Sequence, residues 1–95
     1  ENKYAHDAEM LFKAEARRNK LLGLWAAGLM GKAGEDANAY ASEVITADFE
    51  EAGDEDVYRK VSGDLGVLAD EATIRSQMTS LMVEAKAQLM SEIKE

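Results

Sequence analysis

The sequence predicts an all-α fold, a four-helix bundle with a long first helix, and three observations carry that prediction. Apolar residues recur at three- and four-residue spacing through nearly the whole chain, and no stretch alternates apolar and polar residues as a strand would. Glycine is the only strong punctuation, at Gly31 and Gly34, at Gly53, and more weakly at Gly63 and Gly66. Proline is absent, so nothing forces a break inside a helix. Four amphipathic segments joined by short connections have one economical way to hide their apolar stripes, which is against each other.

The first helix is expected from about Lys3 to Met30, in a stretch rich in the strong helix formers Ala, Leu, Lys, Glu and Arg. The second should run from about Glu35 to Ala52, with Ala37, Ala41, Val44, Ile45, Phe49 and Ala52 on one face. The third should start after Asp54. Asp54, Glu55 and Asp56 set negative charge on its positive N-terminus, and Val57, Val61 and Leu65 form its inner stripe. The fourth should run from about Glu71 to Lys94, N-capped by Asp70, with Ile74, Met78, Leu81, Met82, Ala85, Leu89 and Ile93 facing the core. Met78, Met82 and Met90 read as core filler.

Within the first helix, Phe12 to Ala27 (FKAEARRNKLLGLWAA) changes character at Lys20. Lys13, Glu15, Arg17, Arg18 and Lys20 precede the change. From Leu21 to Met30 every residue is apolar or glycine, including the sole tryptophan, Trp25. A helix that is apolar all round at one end should have that end buried. At 1.5 Å per residue this helix is roughly 40 Å long and the second only about 27 Å. A core built around the second helix cannot cover both ends of the first, so the polar start is expected to project or fray. The expected organisation is one domain, 1–95, with 1–13 as an N-terminal arm and 14–95 as the bundle.

Composition narrows the function. At 95 residues the core is modest, and stability is expected to be about 5 kcal/mol. No cysteine is present, which excludes disulfides, thiolate zinc sites and a cysteine nucleophile, and suits a reducing compartment. The net charge of -8 is uneven: residues 1–34 carry six basic and four acidic side chains, and residues 35–95 carry five basic and fifteen acidic ones. Such a body repels a phosphate backbone, so a nucleic-acid partner is not expected. The ten-residue apolar run is about half of a membrane span and lies too deep in the chain for a signal peptide.

The motif-like patterns fail in detail. Aligning Gly53 of DFEEAGDEDVYRK with the central glycine of a calcium loop puts Ala52 and Arg59 at ligand positions. Gly23 and Gly28 have phosphate-loop spacing, but Leu29 and Met30 stand where lysine and a hydroxyl are needed; closer helix approach is the better reading. His6 is the only histidine, too few for a multi-histidine metal site, and is read as an exposed ring with a pH-sensing role as the sharper alternative. No nucleophile sits beside a base, so no enzyme is expected. Lys13, Arg17 and Lys20 fall on one helix face at i, i+4 and i+7. They could meet an acidic surface or a phosphate, or form a solvated face balanced by Glu9 and Glu15.

The blocks Phe12 to Ala27 and Tyr40 to Val61 (YASEVITADFEEAGDEDVYRKV) resemble the zeta subunit family, bacterial inhibitors of the F-type ATP synthase. The resemblance implies a four-helix bundle and an inhibitor of ATP hydrolysis whose N-terminal helical segment inserts into the catalytic head. It places the chain in the cytoplasm, peripheral to the membrane-bound synthase, and implies no cofactor. Glu1, Lys3 and Tyr4 look like the end of the family's inhibitory segment, which usually has about ten further residues upstream, so this chain is expected to carry only the stump of the arm. Phe12, Arg17, Arg18 and Lys20 match the block at the arm's root and are expected to contact the head. A monomer is expected when free. The alternative is a regulator that binds ATP or ADP, with Lys13, Arg17 and Lys20 on the phosphates and Trp25, Tyr4 or Phe12 near the base. A third reading is a bundle that only dimerises through exposed apolar surface.

Overall fold

The computed structural model describes the backbone of residues 2–48 and 54–93, and the side chains of residues 9–48 and 54–92. Four α-helices follow one another: α1 (Asn2–Leu29), α2 (Glu35–Ala47), α3 (Glu55–Leu65) and α4 (Glu71–Ile93), with a 3-10 turn at Gly66–Leu68 before α4. Phe49 and Ala52, expected in the second helix, and Gly53 lie outside the described residues. Gly63, expected to help break the third helix, lies within α3. The break comes at Gly66, whose φ of 56° closes the helix end. Gly31 and Gly34, at φ 80° and 59°, make the turn into α2. At α4 the Thr73 N–H donates to Asp70 Oδ1 at 2.8 Å, the expected N-cap bond, and hydrogen bonding from the Thr73 side chain, with help from this N–H, holds the Asp70 carboxyl below its ordinary range.

α1 is the spine, packing most extensively against α2 and α4. The core joins Leu22, Ala26 and Ala27 of α1 to Tyr40 and Val44 of α2, to Val57, Val61 and Leu65 of α3, and to Ile74 and Met78 of α4. Burying these side chains removes apolar surface from water and is the main force holding the helices together. Burial of the second half of α1 is one-sided rather than all round: Leu21, Leu24 and Trp25 are half-buried, while Gly28 and Leu29 are exposed. The reason is geometric, because three partner helices do not enclose the fourth. Met90, expected as core filler, is 64% exposed and faces away from the bundle.

The two glycines of α1 differ. A Cβ on Gly23 would lie 2.6 Å from Ala41 Cα, whereas one on Gly28 would meet nothing within 4 Å. Only Gly23 serves close helix approach. Polar clasps seal the rim. The Tyr40 hydroxyl donates to Asp64 at 2.8 Å, and Lys60 bridges Glu43 and Asp64 at 2.9 Å each, 5.1 Å from the Tyr40 ring centroid. Burial, with help from Asp64, pushes the Tyr40 phenol far above its usual range. Arg75 stacks 4.0 Å over Tyr58 and pairs with Glu55 and Glu71, tying α3 to α4.

Candidate protein-interaction site at the root of the first helix

Ala14 is the first buried side chain of α1 among the described residues, at 1% exposure. Just before it, Leu11 and Phe12 are 49% and 57% exposed, although apolar. The helix therefore continues past the cover of its partners. Glu1 lies outside the described residues, as do the side chains of Lys3, Tyr4 and His6.

The basic residues at the root divide into two sets. Lys13 and Lys20 are exposed, Lys13 pairing with Glu9 at 3.7 Å along the helix. The two arginines turn inward, contrary to a uniformly free basic segment. Arg17 donates to Glu92 at 2.7 and 3.0 Å and to Gln88 at 2.8 Å, clamping the end of α4 onto α1. That bond holds the Glu92 carboxyl below its ordinary range. Arg18 is 2% exposed; its Nε donates to Asn19 Oδ1 at 2.7 Å and its Nη2 to Asp54 Oδ1 at 2.9 Å. As a buried side chain it has no surface with which to meet a partner, so it positions the start of α3 instead. Asp54 is thereby diverted from capping α3, where it makes no side-chain cap bond.

The cause is visible in the wheel of α1. Arg18 and Leu22 are four apart and share the core-facing side, so a residue read as part of the free arm falls on the stripe that the bundle covers. No sequence signal marks Asp54, thirty-six residues away, as its partner. Asn19, fully buried, finds no hydrogen-bond partner for its Nδ2 among the described residues, a local cost of about 1–3 kcal/mol.

Sequence reading also missed Glu15, half-buried beside this knot. Burial, then the nearby Asp48 and Asp54 carboxylates, raise its proton affinity, against the pull of Arg18. A carboxyl whose pKa is raised on folding stabilises the fold below its unfolded value, 4.5, and that contribution is lost as pH rises through the folded value. Glu15→Gln should therefore raise the melting temperature at pH 7 and leave it nearly unchanged at pH 4. Equal melting shifts at both pH values would contradict this placement of Glu15.

An open groove of about 440 Å³ runs along the root, lined by Phe12, Lys13, Ala16, Arg17 and Lys20 with Ile45, Leu89 and Glu92. It brings together Lys13, Arg17 and Lys20, the residues expected on the phosphates of a nucleotide, with Phe12, one of the aromatics expected near the base. Trp25 does not line it; its ring packs against the core. Among the described residues no group of three or more His, Cys, Asp or Glu could hold a metal ion, and no helix is long and apolar enough to cross a membrane.

Comparison with known proteins fits this architecture. A solution NMR structure of another protein is similar, with 64% identity over 87% of this chain and 98% of its own, at a TM-score of 0.82. No curated protein matches the sequence. The family model for ATPase inhibitor subunit zeta matches residues 1–88, nearly the whole bundle with its projecting helix. The chain belongs to the ATPase inhibitor subunit zeta family.

Proposed function

We propose that the chain inhibits ATP hydrolysis by the F-type ATP synthase, inserting the N-terminal part of α1 into the catalytic head while the bundle stays outside. The family supports the inhibitory role. The observation that carries the insertion is the course of α1: it is helical from Asn2, yet its described side chains become buried only at Ala14. A helix already formed and uncovered can enter a groove of a partner with less ordering cost than a coil. Inhibition is then steric. A wedge between moving subunits stops the rotary cycle and requires no chemistry from the inhibitor.

In this reading Glu1, Lys3 and Tyr4 enter the head, and Phe12, Lys13 and Lys20 meet its rim. Arg17 and Arg18 act from inside, fixing the direction in which the arm leaves the bundle. The acidic body, residues 35–95, gives the complex a polarity, since the basic root is the part that an acidic rim attracts. The nucleotide alternative draws less support: Phe12 adjoins Lys13, Arg17 and Lys20 in the groove, but Arg17 is already held by Glu92 and Trp25 packs elsewhere, against the core. Titrating the chain into the isolated catalytic head tests the proposal: hydrolysis should fall to a low plateau at saturating inhibitor, and undiminished hydrolysis would contradict it.

A further inference from the structure

We propose that Glu92 is an intramolecular latch on the basic root, holding on Arg17 the seat that a carboxylate of the catalytic head takes when the arm inserts; this rests on the inhibitor reading above. The groove at the root is lined by three basic side chains, Lys13, Arg17 and Lys20, and by one acidic side chain, Glu92. It therefore already holds a carboxylate, and the chain itself supplies it. Both oxygens are used: Arg17 Nη1 donates to Glu92 Oε2 at 2.7 Å, and Nη2 donates to Oε1 at 3.0 Å. This is the two-pronged geometry in which a guanidinium grips a carboxylate, and a lysine cannot reproduce it.

The contacts of Arg17 differ in how readily they exchange. The bond from Nη1 to Gln88 Oε1, at 2.8 Å, is partly buried, and Gln88 Nε2 donates in turn to Glu84 at 3.0 Å, which fixes the amide. Both bonds to Glu92 are exposed, and 55% of the Glu92 side chain is accessible. Leu89 is the last buried side chain of α4 among the described residues, and Met90, Ser91 and Glu92 after it are exposed. An ion pair so open to water contributes little to the fold. Gln88 can keep the guanidinium in place while Glu92 leaves.

Tethering selects the occupant. Glu92 meets Arg17 at an effective concentration on the order of millimolar, because both belong to one chain. A free anion well below that concentration does not displace it. A carboxylate on a body that already grips the arm is tethered in the same way, since Arg17 lies at the arm's root. It competes with Glu92 on similar terms and adds the attraction of Lys13 and Lys20, which are exposed in the same groove. The latch thus keeps the root closed to stray anions and opens it to the head.

The test measures binding of the fluorescently labelled chain to the isolated catalytic head by anisotropy, in a double-mutant cycle: the unaltered chain, Glu92→Gln, Arg17→Gln, and the two together. Glutamine keeps the shape of Glu92 but leaves the guanidinium without its counter-charge. Thermal melts establish that all four fold. With Arg17 present, Glu92→Gln should bind the head about three- to fivefold more tightly, and in the Arg17→Gln background it should change nothing. Equal binding by Glu92→Gln and the unaltered chain overturns the latch and leaves the inhibitor reading standing. Weaker binding by Glu92→Gln overturns it too, because the clamp would then persist in the complex. A gain that survives in the Arg17→Gln background also overturns it, because net charge would be the cause. No binding by the unaltered chain overturns both.

Discussion

Asp54→Ala should destabilise the bundle by about 3 kcal/mol, because it removes the one carboxylate that, among the described residues, hydrogen-bonds a guanidinium buried to 98%. Asp54 itself is half exposed, with 49% of its side chain accessible, so its own desolvation is a small part of the effect. The penalty belongs to Arg18, left with Asn19 Oδ1 as its remaining side-chain acceptor among the described residues. In a chain whose expected stability is about 5 kcal/mol this leaves a fold close to its threshold, and the melting temperature should drop by about 12–24 °C. The second half of the experiment separates an uncompensated charge from a simple loss of contacts. Arg18→Met in the same background removes the stranded charge and keeps apolar volume, so the double variant should recover most of the loss. Calorimetry of the two variants checks this. A double variant less stable than Asp54→Ala would show that Arg18 contributes by packing, not by pairing.

Gly23→Ala should cost about 2 kcal/mol, although alanine is the better helix former. The new methyl would sit 2.6 Å from Ala41 Cα, 3.1 Å from Ala41 Cβ and 3.3 Å from Val44 Cγ2. The first contact is backbone, which cannot rotate aside, so α1 and α2 must separate along their most intimate crossing. Gly28→Ala is the internal control. It has open space around its Cβ, so only helix propensity acts, and it should gain about 0.5–1 kcal/mol. Chemical denaturation of both variants should show opposite signs. The same sign in both would mean that the α1–α2 approach is not limited by Gly23.

Much of the fold is legible in the sequence because helix periodicity is local. Val57, Val61 and Leu65 all enter the core as their spacing requires, and Asp70 caps α4 as its position requires. The root of α1 is less legible, for a reason that is also physical. Charge type suggests solvent, but position on the helix wheel decides burial, and Arg18 has the wheel position of a core residue. Its partner Asp54 is distant in sequence, and nothing in the local pattern pairs them. Glu15 escapes notice in the same way, since its neighbours Asp48 and Asp54 come from other elements. Met90 shows the converse error. Three methionines in one helix look alike as letters, yet Met78 is 6% exposed and Met90 is 64% exposed, because they lie on different faces of α4.

A consistent division of labour follows from these placements. The clamp of Arg17 on Glu92 and the knot of Arg18 with Asp54 hold the root of α1 to the end of α4 and to the start of α3. A root held at two points directs the segment ahead of it, which lets a small bundle present a helix at a defined angle instead of a loose tail.

The most direct measurement is ATP hydrolysis by the isolated catalytic head titrated with the chain and with a Lys3→Glu, Tyr4→Ala variant. Both substitutions lie ahead of the buried root and should leave the melting temperature unchanged. The unaltered chain should suppress hydrolysis, and the variant should lose most of that suppression while remaining folded. A folded variant that inhibits as well as the unaltered chain would contradict insertion of the arm.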